Sequence, residues 1–568
     1  MFRKKINFEV QILRDGRWVM QEICDDEAAA TELAQKFLKR SEIEGARVVR
    51  DWQRNDDRHV EKVVFCEEKR RNEKENIIAN QIDSANQCTV YEDYFRLESR
   101  LTINRVIRTY LDRQVLTPTE LLHNFSELRR LSNFDSLLPA SVDRVASLQA
   151  RQSGEDSRAR RDAIFGTFEK IMAEAREAER SRALQSLSGK DFAGTYAKVA
   201  SVVDVPERRD YLALVALSRH LVTNRNWLGK LADLVEQVKP EVAPDATRLV
   251  DGVIADVLGS PVVVQELLGW QPNLATAVCR LADLCEGKMP AADRPEDDIL
   301  HVLNRLFAKN ALPSARTALV DRIRRQLAGA GALNRMEPAK EAGAFKQVLD
   351  RLLHVDGTFG GPPTAEALTR RAFRMGERGG AKGESEAIVT TLRQIGDRER
   401  TVVYLVDLAG TPFGIEHMTD IVGHLQAMAA ADSVDGIVGS HLPPRDKMAT
   451  VTRMFDRLKD SALPEEPREA LCGKLDELLA AYLLKEGIIE KLDTPTDSLR
   501  IRAIRLVQFC GSGILTRGKA LAMARDRVIK HLRHPNFDQT FVEDLPTQEE
   551  KEKAARDFFL LLRNAGFQ

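Results

Sequence analysis

Apolar and polar residues alternate at the start of the chain, which is typical of half-buried β-strands. Ile6–Leu13 carries an apolar residue at every second position, and Trp18–Cys24 forms a second strand-like run. Between them stands Asp15-Gly16, a pair that favours a tight turn. The pattern therefore predicts a β-hairpin.

A helix and a second hairpin are predicted next. The aspartates at 25–26 provide an N-cap for a helix that runs to about Lys39. Arg47–Gln53 and Val60–Cys66 again resemble strands, with a turn at Asn55–Asp57. The order of elements is ββαββ, which describes a small sheet with one helix on a face.

We assign residues 1–67 to this small α+β domain. Trp18 and Trp52 within it are a candidate interaction face. The alternative is that both are large core residues, which is the commoner role of tryptophan in a small domain. The sequence leaves both interpretations open.

A charged linker is expected after the first domain, over residues 68–87. The stretch Glu67–Asn76 contains charges of both signs and no apolar residue. Such a stretch is typical of a solvated segment between domains.

Residues 88–186 are expected to form a helical hairpin and a charged surface helix. Thr117–Glu120 supplies an N-cap, a proline at the first helical position and a glutamate at the third, which predicts a helix start. Glu169–Arg182 spaces glutamate and arginine three and four residues apart, as on an exposed helix. A coiled-coil arm is the alternative, although sustained apolar heptads are missing.

Residues 187–355 are predicted to form a helical domain around the stretch 243–286. In that stretch apolar residues recur at helical spacing and charges are sparse, so we expect its helices to be buried over much of their circumference. Prolines stand near successive helix starts, as in an irregular multi-helical bundle or an α-solenoid. No repeat of fixed length is visible.

Glycine and proline interrupt the helical pattern at residues 356–384, which we interpret as a linker of loops. A C-terminal helical domain is expected over residues 385–568. Thr401–Leu408 is rich in β-branched residues, so periodicity alone does not decide between helix and strand there. The fold class is thus mainly α, with a small N-terminal α+β domain and a multi-helical, solenoid-like body.

Composition agrees with a helix-rich globular chain of several domains. The 568 residues are 43% hydrophobic, 30% charged and 6% aromatic, with a formal net charge of -1. A net charge so close to zero gives the whole chain no attraction for nucleic acid or anionic lipid, although local patches could have one.

The cysteines and the N-terminus indicate the cytoplasm. Seven cysteines are scattered without a C-x-x-C pair, as expected of free thiols in a reducing compartment. We see no secretory signal and no apolar run long enough to cross a membrane. An alanine- and arginine-rich body with few lysines suggests a bacterial protein.

Several stretches resemble known binding-site motifs but do not match them fully. Gly376–Ser385 and Gly513–Ala520 both resemble a phosphate-binding loop, but neither matches it fully and neither follows a predicted strand. His417, Asp420 and His424 have ligand chemistry, but no third-ligand motif accompanies them. We therefore expect no catalytic residue, no cofactor site and no metal site.

Two basic groups are candidate sites for an anionic partner. One spans 370–382, and the other spans 517–534 with the residues Arg517, Lys519, Arg525, Arg527, Lys530 and Arg533. These cations spread around their helix and lack interleaved aromatic residues, so a solvated helix is the simpler interpretation. An acidic protein partner is the next choice.

Three hypotheses of function follow. The first is a non-enzymatic cytoplasmic interaction or scaffold protein with protein partners, in bacterial signalling or regulation. The second is a nucleic-acid-binding regulator that uses the basic helices. The third is an enzyme whose site is assembled across the helical body from residues distant in sequence.

Overall fold

The computed structural model describes residues 6–14, 17–38, 43, 45–53, 59–68, 77–134, 136–290, 298–376 and 380–567. The predicted turns at Asp15-Gly16 and Asn55–Asp57, and residues 69–76 of the charged linker, lie outside these residues. The chain divides into two compact units, Met1–Ile77 and Ile78–Gln568. The finer division predicted from residue 88 onward stays a prediction.

The first unit is a four-stranded antiparallel sheet with one helix, so the predicted ββαββ order is confirmed. Its elements are β1 (Ile6–Arg14), β2 (Arg17–Cys24), α1 (Glu27–Leu38), β3 (Gly45–Gln53) and β4 (His59–Glu68). The strands lie in the order β2-β1-β3-β4.

Helix α1 packs on one face of that sheet through small residues. Ala30 and Ala34 are buried against Phe8, Val10 and Ile12 of β1. Alanine side chains let the helix approach the larger side chains of the sheet, and this contact forms the core of the unit.

The second unit is multi-helical, which confirms the mainly α fold class. Its first half contains a 3₁₀ turn at Tyr91–Phe95 and the helices α2 (Leu97–Val106), α3 (Arg108–Gln114), α4 (Pro118–Leu122), α5 (Phe125–Ser132), α6 (Leu137–Ser153), α7 (Ser157–Arg180), α8 (Arg182–Gln185), α9 (Phe192–Ala200), α10 (Pro206–Val222), α11 (Trp227–Glu236), α12 (Pro244–Leu258), α13 (Pro261–Leu268), α14 (Leu274–Cys285), α15 (Ile299–Ala308) and α16 (Pro313–Ala328).

The second half of this unit continues the same way after a 3₁₀ turn at Pro338–Lys340. Its elements are α17 (Glu341–Leu352), β5 (Leu353–His354), β6 (Gly357–Thr358), α18 (Pro362–Met375), α19 (Gly380–Ile395), α20 (Arg398–Ala409), α21 (Pro412–Glu416), α22 (Met418–Ala429), α23 (Val434–Val438), α24 (Pro444–Lys459), α25 (Glu465–Lys485), α26 (Ile488–Leu492), α27 (Leu499–Gly511), α28 (Lys519–Leu532), α29 (Phe537–Phe541) and α30 (Gln548–Asn564). The solenoid-like arrangement stays a prediction.

Helix α12 is the most deeply buried element of the central stretch. Every residue from Leu249 to Leu258 is buried, including Asp251 and Asp256. The expectation that sparse charge means burial around the helix is confirmed here. The two aspartates are the exception to that apolar surface and need partners.

Both aspartates of α12 bind the N-termini of other helices. Asp256 accepts hydrogen bonds from the backbone N–H of Thr119 at 3.0 Å and from Arg100 of α2 at 3.1 Å. Asp251 accepts the N–H groups of residues 314–315 at the start of α16, at 2.7 and 2.9 Å. These bonds satisfy donors that a helix leaves open at its first turn.

The predicted helix start at Thr117–Glu120 is confirmed as a capping box. Thr117 Oγ1 accepts from Glu120 N at 3.1 Å, and Glu120 Oε2 accepts from Thr117 N at 2.8 Å. The other oxygen of Glu120 pairs with Lys230 of α11, and both side chains are fully buried. The cap therefore also ties α4 to α11.

Two stretches of the second half of the body are helical. Within the predicted linker 356–384, helix α18 covers Pro362–Met375 and helix α19 begins at Gly380, while the linker assignment itself stays a prediction. The prolines of α18 occupy the first helical turn, where a missing N–H costs nothing. The stretch 401–408, left open between helix and strand, belongs to helix α20, whose residues Val402–Ala409 are all buried.

Helices α6 and α7 form an antiparallel hairpin. Asp156 caps α7 by accepting from Ala159 N at 2.8 Å, so the helix begins well before the charged stretch at 169–182. One side of α7 is buried at Ile164, Ile171 and Ala175. The charged helix thus exposes only its other side. Among the described residues, no helix has both the length and the apolar character needed to cross a membrane.

Candidate interaction surface

The tryptophans of the chain lie in contrasting environments. Trp227 is buried in the helical body, and Trp18 is half-buried on the sheet of the first unit. Trp270, between α13 and α14, exposes 85% of its surface. The side chain of Trp52 lies outside the described residues. A fully exposed indole is unusual, because tryptophan gains more from burial than almost any other side chain.

Trp18, one of the two residues predicted as a candidate interaction face, lies on the sheet face away from α1. It pairs with Leu13, one position out of phase with Phe8, Val10 and Ile12, which pack against that helix. The joint face of Trp18 and Trp52 stays a prediction.

Trp18 itself stacks with a cation on the sheet face away from α1. The guanidinium of Arg47 lies 4.5 Å from the centre of the Trp18 ring. Arg47 also donates from Nε to Gln11 Oε1 at 2.8 Å. Trp18 thus already has an internal partner, whereas Trp270 projects into solvent.

The loop that carries Trp270 is fixed at both ends. Gly269 ends α13 with a φ of 66°, a conformation that favours glycine. Gln271 Nε2 donates to the carbonyl of Leu268 at 2.8 Å. Asn273 begins α14 by accepting from Thr276 N at 2.8 Å. The backbone around Trp270 therefore has little freedom, although its side chain is exposed.

A second loop, between α16 and α17, lies beside the first. The carbonyl of Leu333 accepts from the backbone N–H of Leu274 at 2.9 Å, which joins the two loops. Met336, three residues further along, exposes 82% of its surface. We name these two exposed side chains, Trp270 and Met336, the Trp270–Met336 surface.

Carboxylate and amide groups hold the second loop in place. Glu341 of α17 accepts the backbone N–H groups of Leu333 and Asn334 at 2.8 and 2.7 Å. Asn334 Oδ1 in turn accepts from Glu337 N at 3.1 Å. Met336 lies inside this bonded turn, so both apolar side chains of the surface stand on ordered backbone.

The sequence contains a signal for Trp270 that our predictions did not use. Gly269 and Pro272 flank it, and these residues are typical of turns. An aromatic residue inside a turn between two helices has few neighbours to cover it. Met336 has no comparable signal, since its exposure depends on how the neighbouring loop packs.

Arginines of the basic group at 370–382 bind the loop between α16 and α17. Arg371 is buried and donates to the carbonyls of Gln326, Gly329 and Gly331, at 2.7 to 3.0 Å. Arg374 donates to the carbonyl of residue 328 at 2.8 Å. Arg378 lies outside the described residues. Arg371 and Arg374 therefore bind the chain's own backbone at the C-terminal end of α16.

The basic residues of 517–534 are divided between internal partners and solvent. Lys519 pairs with Glu477 at 2.6 Å, and Arg527 pairs with Glu490 at 3.1 Å. Arg525 donates to the carbonyl of Ala565 at 3.1 Å. The remaining three, which are exposed, are Arg517, Lys530 and Arg533.

The loop-like motif at Gly513–Ala520 connects α27 to α28. The N-terminus of α28 is occupied by a carboxylate of the chain itself. Asp476 of α25 accepts from Lys519 N at 2.5 Å, from Ala520 N at 3.1 Å and from Thr516 Oγ1 at 2.5 Å. A phosphate would have to displace this buried group.

Gly518 makes the approach of Asp476 possible. A Cβ atom at position 518 would collide with the Asp476 carboxylate. The glycine that gives the motif its resemblance to a phosphate-binding loop therefore has a packing function here.

The two histidines of the 417–424 group lie at different places, one before helix α22 and the other within it. His417 precedes α22, stacks on Phe413 at 4.5 Å between ring centres, and lies 3.2 Å from a carboxylate oxygen of Glu384. His424 lies further along α22. Within the described part of the chain, no group of three or more histidine, cysteine or acidic side chains could hold a metal ion.

Comparison of the chain with protein-family models, curated proteins and solved structures finds no match.

Proposed function

We propose that the chain is a non-enzymatic interaction protein that binds a partner protein through the Trp270–Met336 surface. The observation that carries this proposal is the exposure of Trp270 on a loop whose backbone is fixed at both ends. Tryptophan is enriched among the residues that dominate binding energy in protein interfaces.

The energetics favour such an anchor. Burying an indole removes about 150–250 Å² from water, which at about 25 cal/mol per Å² is on the order of 4–6 kcal/mol before the costs of association. Met336 adds a flexible apolar side chain that adapts to the shape of a partner. Because both loops are already ordered, binding loses little backbone entropy.

The chemistry of the partner follows from that of the surface. The two side chains offer apolar area and one indole N–H, so the matching site is an apolar pocket with a hydrogen-bond acceptor at its edge. A partner recognised mainly by charge fits less well, because neither residue is ionisable.

Binding to nucleic acid through 517–534 is the second proposal, and it has less support. Lys519 and Arg527 already pair with carboxylates, which leaves Arg517, Lys530 and Arg533 exposed. Three phosphate contacts would give weak binding with a shallow salt dependence.

A bacterial cytoplasmic location is also part of this proposal. Five of the seven cysteines are buried thiols. Buried free thiols fit a reducing compartment.

The proposal predicts that Trp270→Ala abolishes recovery of the partner. In co-purification of the tagged full chain from its own cells, we expect a partner whose yield falls more than tenfold, because a central tryptophan contributes on the order of 2 kcal/mol or more. Quantitative mass spectrometry of wild type and variant measures this.

Val242→Ala is the matched control. Val242 exposes 82% of its surface on the loop before α12, and its N–H donates to the carbonyl of Lys239 at 3.2 Å within that loop. We expect this variant to recover the partner as wild type does. Equal recovery by Trp270→Ala, or an equal loss in both variants, would contradict the proposed surface.

A further inference from the structure

A second site lies inside the helical body, at the seam between the α6–α7 hairpin and helices α2, α4 and α5. It is a partly open cavity of about 130 Å³. Most of its wall is aliphatic, and these three helices and the hairpin contribute Ile103, Leu121, Leu128, Leu131, Val142 and Ile164. Well-packed interiors rarely leave so large a volume unfilled.

The polar groups at the edge of this cavity are already bonded to the chain. Ser99 Oγ donates to the carbonyl of Asp93 at 2.6 Å and lies 3.3 Å from the Cys88 thiol. Ser141 Oγ donates to the carbonyl of Leu137 at 2.7 Å. The surface that the cavity exposes is apolar, so the cavity presents carbon to its contents.

Water is a poor occupant of such a space. A buried water usually needs two to four polar partners, and apolar cavities of about this size remain dry and bind benzene or xenon. The lining atoms of an empty cavity also lose the dispersion contacts that a filled core would provide.

We propose that this cavity is a binding site for a small apolar molecule, of the size of benzene or of the end of a hydrocarbon chain. Its chemical class is set by the aliphatic wall and by the apolar surface that the cavity exposes. The ligand would stabilise the docking of the α6–α7 hairpin, because the cavity is bounded on one side by that hairpin. This inference is independent of the Trp270–Met336 surface.

The test uses the full chain with fluorobenzene as the probe in ¹⁹F NMR. We expect its resonance to shift and broaden in the presence of wild-type protein, and benzene to reverse the change by competition. Benzene should also raise the thermal midpoint of unfolding, because a ligand that binds only the folded state stabilises it.

Ser141→Leu and Ser147→Leu form a matched pair of variants. Both serines lie on α6 and donate to the carbonyl four residues earlier, at 2.7 and 2.8 Å. Ser141 lines the cavity, whereas Ser147 is exposed. Leucine at 141 fills the space, so this variant should lose the ¹⁹F change, while Ser147→Leu should keep it.

Val142→Phe fills the same space from the next position. If Ser141→Leu does not fold, this variant tests whether filling the cavity removes probe binding. Circular dichroism checks the fold of each variant. An unchanged ¹⁹F spectrum with wild-type protein would overturn the proposal. So would equal probe binding by a folded variant that fills the cavity.

Discussion

At the scale of single residues, partners rather than residue type decide which charged groups are buried. Lys230 and Glu120 are fully buried as an ion pair, and Arg371 is buried against three backbone carbonyls. Sequence patterns treat lysine, glutamate and arginine as surface residues, so the burial of these three side chains was not predicted. The partners are 110 residues apart in one case and 40 to 45 in the other.

His123 gives a residue-scale prediction about pH. Its ring is buried between Phe95 and Tyr211, with ring centres 5.4 and 4.9 Å away, and its Nδ1 lies 2.8 Å from the carbonyl of Thr119. Since a carbonyl only accepts, Nδ1 carries the proton of a neutral ring. Burial lowers the pKa of His123 from 6.5 to about 4.

The sign of the pH effect follows from this lowered pKa. Between pH 6.5 and about 4 the unfolded chain binds a proton at His123 that the folded chain does not bind, so stability falls as the pH falls. From about pH 7 to about pH 5 the loss is on the order of 2 kcal/mol.

His123→Phe keeps an aromatic ring and removes the titration. We expect the unfolding free energy of this variant to change less between about pH 7 and about pH 5 than that of wild type, by on the order of 2 kcal/mol. Urea unfolding at both pH values measures the difference. Identical pH dependence in the two proteins would contradict a neutral, buried His123.

At the scale of elements, local signals predicted helix starts well, and long-range contacts explain the rest. The capping box at Thr117–Glu120 and the ββαββ order were predicted because all their determinants lie within a few residues. Helix α18 lies inside the predicted linker, where glycine and proline mark a helix start as readily as a turn. Helix α20 overrides its β-branched composition by burial on nearly all sides.

Buried carboxylates that bind the start of another helix recur in the second unit. Asp251 and Asp256 do so from α12, and Asp476 does so from α25. No sequence pattern marks these aspartates, because the N–H groups they bind lie about 40 to 137 residues away. They are a main reason why the packing of these helices could not be assembled from the sequence.

Asp476→Asn tests this role at the level of one helix. Three donors at the start of α28 bind the two carboxylate oxygens of Asp476. Asparagine keeps the size of the side chain but offers only one acceptor oxygen to these donors. We expect a loss of stability of about 1–3 kcal/mol and faster amide hydrogen exchange along α28. Hydrogen exchange with mass spectrometry measures both, through the protection of that helix.

Glu477→Gln is the control for Asp476→Asn. Glu477 is the next residue, is exposed, and pairs with Lys519 of α28 through its side chain alone. Its substitution removes the same charge but no buried acceptor, so α28 should exchange as in wild type. Equal exchange in the two variants would show that the buried bonds of Asp476 do not stabilise α28.

At the scale of the whole molecule, hydrophobic periodicity predicts the fold class, whereas the candidate surface depends on long-range contacts. The mainly α fold and the small sheet unit follow from periodicity, which needs no knowledge of the partners of each residue. The candidate surface does not follow from periodicity, because the loops that carry Trp270 and Met336 are joined by long-range backbone bonds from Leu274 and Ala275 to the carbonyl of Leu333.

The central claim is that one partner protein docks on the Trp270–Met336 surface. The most direct measurement is photocrosslinking in the protein's own cells with a benzophenone amino acid in place of Met336, in a chain that keeps Trp270. We predict one dominant adduct with a different protein, lost when Trp270→Ala is added and absent when the probe stands at Val242. No adduct at 336, or the same adducts at 336 and 242, would contradict the claim.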